Sequence, residues 1–418
     1  MLKYIELDNV GPAPHMRLDF APRLNILTGD NGLGKTFTLE TVWWAITGAW
    51  AGEMALPQRP KQGRVSWGAG QHSGWGEFDT APERWSRDVG NAAVEALCLY
   101  ARCNGTYAVR DPLREPPSES RDAITREPLT DFRFSYGSVW NGLRSPLEIG
   151  EFLAEGLIRD WVAWQEVPRK QGFFGALGDV IRKLSAGLEW SMEPAVPRRI
   201  LKTEPRDIPH VHLPYGDVPV VHLSAGMKRI LELAYLLVWS WNEHKLASEL
   251  ENGRRPADTL ILLIDEVEAH LHPQWQRRLL PAVLEAVKVI QEDMQVQIIA
   301  TTHEPLVLAS LEPIWDEEQD ALFHFRLDET GQVKVEREAW RRRGDVSAWL
   351  TSEVFGLQHP TSVPMQDAVE RALALRREPD PSPDAIEAVH QELQGVLKDA
   401  DPFWVRWLAF AEKHGVNP

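Results

Sequence analysis

"TGDNGLGKTFTLE", residues 28–40, decides the fold. Gly29-Asp30-Asn31-Gly32-Leu33-Gly34-Lys35-Thr36 fits the pattern G-x-x-x-x-G-K-[ST]. It stands between a short apolar strand, "LNILT" (24–28), and a helical run ending near Gly48, which is the context the pattern requires. The glycines let backbone N–H groups converge on phosphate oxygens, and the start of the helix adds partial positive charge. In such a loop Lys35 reaches the β- and γ-phosphates and the Thr36 hydroxyl ligates Mg²⁺. No Asn-Lys-x-Asp sequence speaks for guanine, which disfavours GTP without settling the base; ATP is the expected nucleotide.

The surrounding chain is acidic, with 61 Asp and Glu against 45 Lys and Arg among 418 residues, a formal charge of −16. That balance works against broad adhesion to nucleic acid or anionic membrane. It does not weaken the loop, because exposed charges more than about 10 Å away are screened. No apolar run approaches the roughly 20 residues needed to cross a bilayer. The start, "MLKYIELDNV", reads as a strand rather than a signal peptide, so the expected setting is cytoplasmic, without a membrane partner. Cys98 and Cys103 read as core or strand residues.

Two further apolar strands end in chemistry. "TLILLIDEVEAHLHP" (259–273) delivers adjacent carboxylates, Asp265 and Glu266, to the carboxyl edge of a sheet, where open α/β folds bind their ligands. Asp265 is suited to holding Mg²⁺ through its water shell and Glu266 to polarising an attacking water. "VQIIATTHEP" (296–305) ends in His303, 38 residues after Asp265. Leu-Ser-Ala-Gly occurs twice, at 184–187 and 223–226. Pro194 and Pro197 stop a long helix after the first copy, whereas the second opens "MKRILELAYLLVWSW". A serine hydroxyl and glycine N–H groups at a helix start form an anion site, so Ser224 and Gly226 are the choice.

The remaining chain gives a coarse map. Residues 1–50 read as strands, loop and helix, and 52–78 as a loop-rich stretch with little periodicity. A hairpin is expected around Asn104-Gly105, a helical region over 147–192, a helix from about Gln274 to Gln291 and a hairpin around Glu329-Thr330-Gly331. Three or four helices complete the chain. Arg337, Arg341, Arg342 and Arg343 cluster beside Trp340, a combination that suits phosphate contact or stacking, though a charge run is more often a solvated face. His270 and His272 lack an evident third metal ligand.

Taken in order, "GDNGLGKT", "LSAGMKR", "LIDEVEAHLHPQWQ" and "ATTHEPLVLAS" resemble an ABC-type P-loop ATPase head of the RecF, SMC and OLD branch. Glu-Ala-His-Leu-His-Pro, where transporters carry Ser-Ala-Leu-Asp, is similar to ATPases of bacterial anti-phage systems such as the Septu, retron-linked, Gabija and OLD groups. The resemblance covers about residues 1–50 and 215–312. It implies an α/β head with a mixed central sheet: core lobe at 1–50, inserted α/β lobe at 51–213, signature helix through the end of the core at 214–343, and a helical region at 344–418. It further implies that His303 contacts the γ-phosphate and that two copies form a homodimer around ATP, Ser224 of one capping the nucleotide of the other. Two departures stand out. Ala225 replaces the transporters' glycine, and Gln58, Gln62 and Gln71 are all candidates for the glutamine loop.

OLD proteins add a nuclease, but Asp399-Ala400-Asp401 follows a predicted helix rather than a strand, so an effector nuclease is expected on another polypeptide. The functional expectation is an ATPase that regulates such an effector in anti-phage defence. The alternatives are a RecF-like DNA-binding clamp in repair and a nucleotide-locked scaffold.

Overall fold

An eight-stranded sheet carries the motifs. From edge to edge its strands are Val333–Glu338, Asp320–Leu327, Leu24–Gly29, Gln295–Thr301, Thr259–Ile264, Leu97–Ala101, Tyr107–Arg110 and Phe132–Phe134. The five strands from Asp320–Leu327 to Leu97–Ala101 pair in parallel, and the flanking pairs are antiparallel, so the sheet is mixed. All six residues of Thr259–Ile264 are buried, as expected for a strand covered on both faces. Parallel strands end at one edge, which brings the loops after Gly29, Ile264 and Thr301 together.

A second, antiparallel sheet runs in the order His15–Asp19, Leu2–Asp8, Arg64–Ala69, His72–Asp79, Arg84–Asp88. Helix Lys35–Thr47 lies between the two sheets. Its Leu39, Val42, Trp43 and Ile46 share one core with Ile261, Leu263 and Ile299 of the mixed sheet and Ile5, Val65 and Trp67 of the antiparallel one. Full burial of each such side chain contributes roughly 1.5–3 kcal/mol. At the helix's end, Arg87 Nη2 donates to the carbonyls of Ala45 (2.6 Å) and Ile46 (3.1 Å), satisfying groups that the last turn leaves open.

On the other side, helix Ala225–Leu250 packs against helix Gln171–Ser185 and strand Leu97–Ala101. Its buried Glu232 accepts from Trp140 Nε1 at 2.7 Å and Tyr107 Oη at 2.9 Å.

The computed structural model describes residues 1–416 apart from 59–61, 82, 90–93, 118–128, 146–149, 187–189, 252–253 and 358–359. It divides into two units, Met1–Val346 and Ser347–Pro418. The second has a core of its own, with Ala368, Ala372, Ile386, Leu393, Trp407 and Ala411 on three helices, Val363–Leu375, Pro383–Val396 and Phe403–Lys413.

Three sequence readings change. The stretch 52–78, read as loop, contains strand Arg64–Ala69 and most of strand His72–Asp79. Residues 51–213, read as an inserted lobe, supply three strands of each sheet: Arg64–Ala69, His72–Asp79 and Arg84–Asp88 of the antiparallel one, and Leu97–Ala101, Tyr107–Arg110 and Phe132–Phe134 of the mixed one. The helix expected from Gln274 to Gln291 is broken into Pro273–Gln276 and Leu279–Ile290. Pro281 explains the break: it has no N–H to donate and is tolerated only in a first turn, so a new helix starts just before it.

Candidate nucleotide site

The loop after strand Leu24–Gly29 is shaped by its glycines. Gly29 has φ 131°, and a Cβ there would lie 2.0 Å from the Phe325 carbonyl oxygen of the neighbouring strand. Gly34 has φ 94° and would press a Cβ to 2.5 Å from Pro12 Cγ. Both positions demand glycine on space and on dihedral angle. Asp30, Asn31 and Gly32 are exposed, Leu33 is buried, and no side chain caps the helix that begins at Lys35. The first-turn N–H groups therefore face the loop's mouth.

Lys35 is buried and folds back onto its own loop, Nζ donating to the carbonyls of Gly29 (2.8 Å) and Asp30 (2.7 Å). Burial pushes its ammonium down to about 8, against the opposing pull of Asp30, Asp265, Glu266 and Glu268. A phosphate at this place would supply the countercharge that the carbonyl dipoles supply only in part.

The carboxylates stand opposite. The Thr36 hydroxyl lies 3.0 and 3.1 Å from the two oxygens of Asp265, which is buried. Thr301 Oγ1 donates to Asp265 Oδ1 at 2.8 Å and accepts from the Glu266 N–H at 2.7 Å, so one hydroxyl orients both acids. Glu266 itself sits at φ 49°, a left-handed conformation that side chains other than glycine rarely adopt. Such strain is held only where the surroundings over-determine it, and it turns the residue out of the strand's alternation.

His303 reaches the same place. Its ring lies against the Gly29 backbone carbonyl, and its pKa is lowered by burial and by Lys35, with Glu266 and Asp265 opposing. Lys35, Thr36, Asp265, Glu266 and His303 are thus brought together from three loops. Two groups escaped the sequence reading. Thr301 is one. Glu268 is the other: its carboxylate accepts from Thr302 Oγ1 at 2.8 Å and from the His303 N–H at 2.6 Å. Burial raises its pKa in spite of those two bonds. The only signal was a second glutamate two residues beyond Glu266.

Ser224 and Gly226 are placed differently. Ser224 is the exposed N-cap of helix Ala225–Leu250, its hydroxyl accepting from Met227 N–H at 3.3 Å. Gly226 is buried, and a Cβ there would come to 2.7 Å from the His270 carbonyl and 3.3 Å from Trp275. The glycine is thus required by packing against the loop after Glu266. That loop holds a second left-handed residue, His270, at φ 63°. Of the other Leu-Ser-Ala-Gly copy, Ser185 ends helix Gln171–Ser185, and Gly187 lies outside the described residues.

The remaining candidates are scattered. Arg337 Nη2 donates to the Asp320 carbonyl, Arg341 and Arg342 are exposed, and the Arg343 N–H donates to Glu312. Trp340 stacks on Trp315 with ring centroids 3.7 Å apart. His272 caps helix Pro273–Gln276, its Nδ1 accepting from Gln274 N–H. Gln58 donates to the Gly11 carbonyl beside Phe37 of the loop's helix, Gln62 pairs with Glu77, and Gln71 is exposed at a turn. Asp399 and Asp401 lie between helices Pro383–Val396 and Phe403–Lys413. Among the described residues no helix is long and apolar enough to cross a membrane.

A family model described as "AAA domain, putative AbiEii toxin, Type IV TA system" matches residues 182–309, which include Ser224, Asp265, Glu266 and His303. The Septu protein PtuA of Bacillus thuringiensis is 24% identical over 319 residues, 73% of this chain and 72% of that protein. The "Retron Ec83 probable ATPase" of Escherichia coli is 31% identical over 143 residues, 33% of this chain and 22% of its own length. Among solved structures, the SMC head domain from Thermotoga maritima aligns with 81% of this chain and 99% of its own at 14% identity, with a TM-score of 0.41. With a phosphate loop, paired acids and a strand-end histidine on one sheet edge, the chain has the site layout of a P-loop ATPase and is similar to Septu and retron proteins.

Proposed function

We propose that this chain binds ATP with Mg²⁺ at the Gly29–Thr36 loop, closes as a homodimer around it, and opens on hydrolysis to control an effector. The observation that carries the reading is the convergence of Lys35, Thr36, Asp265, Glu266 and His303 at one sheet edge. Gly29, Asp30, Asn31, Gly32, Leu33 and Gly34 cradle the phosphates and Lys35 turns from its carbonyls to the β- and γ-oxygens. The Thr36 hydroxyl and the Asp265 carboxylate are hard oxygen donors already in mutual contact, a set that fits Mg²⁺. When bound, the ion supplies positive charge to the phosphate oxygens.

Glu266 accepts a proton from the attacking water as the bond to the β,γ-bridging oxygen breaks and ADP leaves with the electron pair. His303 donates to the γ-phosphate. Ser224, exposed at a helix start, caps the γ-phosphate held by a second copy, while Gly226 keeps that helix seated on the loop after Glu266. A γ-phosphate bridging two copies favours the closed state only, so its loss releases the closure.

The likeness to a Septu protein and to a retron probable ATPase supports a role in anti-phage defence, and the effector is taken to be another polypeptide. A DNA clamp would instead show DNA-stimulated turnover and a steep salt dependence, with Arg341 and Arg342 as the exposed cations.

The test is Glu266→Gln with MgATP. The expected result is normal binding of a fluorescent ATP analogue, a rate at least about 100-fold below wild type, and a scattering mass that doubles with ATP. Wild-type turnover in this variant would remove Glu266 from its role.

A further inference from the structure

Between strands Thr259–Ile264 and Gln295–Thr301 the parallel ladder runs as far as Ile264 opposite Ala300. Past that point the two segments are held by Thr301, which orients Asp265 and Glu266, and by Glu268. The Glu268 carboxylate receives the Thr302 hydroxyl at one oxygen (2.8 Å) and the His303 N–H at the other (2.6 Å). The Thr302 hydroxyl is used twice, since it also accepts from the Glu304 N–H at 3.0 Å.

We propose that Glu268 is a positioning residue for hydrolysis: it anchors the His303 main chain so that the imidazole stays beside the Gly29 carbonyl and Lys35. The inference rests on the reading that Glu266 and His303 act on a bound triphosphate. The residue type matters because two donors converge on the side chain. A carboxylate offers an acceptor to each, whereas a glutamine of the same shape turns its NH₂ toward one of them. Turned toward the His303 N–H, that NH₂ sets two donors face to face; turned toward Thr302, it makes the hydroxyl accept instead of donate, so either orientation changes the bonds that hold the Thr302–His303 segment. A shift of about 1 Å in a catalytic ring costs up to roughly 100-fold in rate, without loosening the grip of Lys35 on the phosphates. Glu268 therefore acts on kcat through His303 and leaves nucleotide affinity alone.

The experiment is a double-mutant cycle on the full chain, with kcat, KM and the Kd of a fluorescent ATP analogue measured for wild type, Glu268→Gln, His303→Ala and the double variant. Glu266→Gln is the control, and thermal unfolding is followed throughout. Glu268→Gln is expected to lower kcat about 10–100-fold with Kd unchanged, and to cause no further loss in the His303→Ala background. Thr302→Ser keeps the hydroxyl and is expected to stay near wild type, whereas Thr302→Val falls with Glu268→Gln.

Equal losses from Glu268→Gln in both backgrounds would overturn the proposal, as would a raised KM at unchanged kcat. A wild-type rate in Glu268→Gln beside an inactive Glu266→Gln would overturn this inference alone. A wild-type rate in Glu266→Gln would overturn the parent reading and this one with it.

Discussion

Thr36 and Asp265, 229 residues apart in the chain, are joined by a hydroxyl that lies 3.0 Å from Asp265 Oδ1 and 3.1 Å from Oδ2. The contact ties the loop's helix to the end of strand Thr259–Ile264 before any ligand arrives. If the pair holds Mg²⁺, removing the hydroxyl removes a ligand and leaves the carboxylate with one fewer donor. Thr36→Val is expected to weaken nucleotide binding at least about 10-fold in the presence of Mg²⁺, and Thr36→Ser to keep it. Titration of a fluorescent ATP analogue with and without Mg²⁺ reads both. Equal affinity for Thr36→Val and wild type in Mg²⁺ would refute the assignment.

Gly226 gives a prediction about packing rather than phosphate. A methyl group there meets the His270 carbonyl at 2.7 Å, and a backbone oxygen cannot swing aside as a side chain can. Gly226→Ala is expected to cost about 1–3 kcal/mol, the usual range for overpacking, and to lower the Tm accordingly. Denaturant unfolding of the pair of proteins measures it. An unchanged midpoint would show that the helix start and the loop are not in the contact described.

Asp160 links stability to pH. It is buried on helix Leu157–Glu166, accepts from Tyr235 Oη at 2.8 Å, and is pushed by burial up to about 6, from an ordinary 3.8. An acid with a raised native pKa carries no penalty below about 4, where it is protonated in both states. The penalty grows as pH rises and is complete above about 6. Asp160→Asn keeps the acceptor for Tyr235 and removes the charge. At pH 7.5 it is expected to be more stable than wild type by on the order of 2 kcal/mol, and so to unfold at a higher temperature. At pH 4 the two should be close. A gap that is the same at both pH values would contradict the burial of a charge here.

How much of this could be read in advance depends on which physics writes itself into local sequence. The phosphate loop is legible because its glycines, lysine and threonine act within a few residues of one another. The strand before Asp265 is legible because a strand buried on both faces must be apolar throughout. Strand His72–Asp79 was invisible for a definite reason. Its inward positions are Gly74, Gly76 and Phe78, and the space beside the two glycines is filled by Trp67 and Trp44 from other elements. The hydrophobic payload lies elsewhere in the chain, so the alternation never shows. Glu268 and Thr301 were missed because their roles exist only across the gap between two strand ends. Gly226 is legible as a candidate phosphate contact at a helix start, whereas its packing against the His270 carbonyl required the fold.

The central claim is that each nucleotide is shared between two chains, Lys35 coming from one and Ser224 from the other. Mixing Lys35→Met with Ser224→Arg tests it most directly, with ATP turnover as the readout and differently tagged chains to verify pairing. Each variant alone should be inactive. In a mixed dimer one site regains both wild-type groups, so an equimolar mixture should recover roughly a quarter of wild-type turnover under random pairing. Mixed dimers that form yet turn over no more ATP than either parent would contradict the shared site.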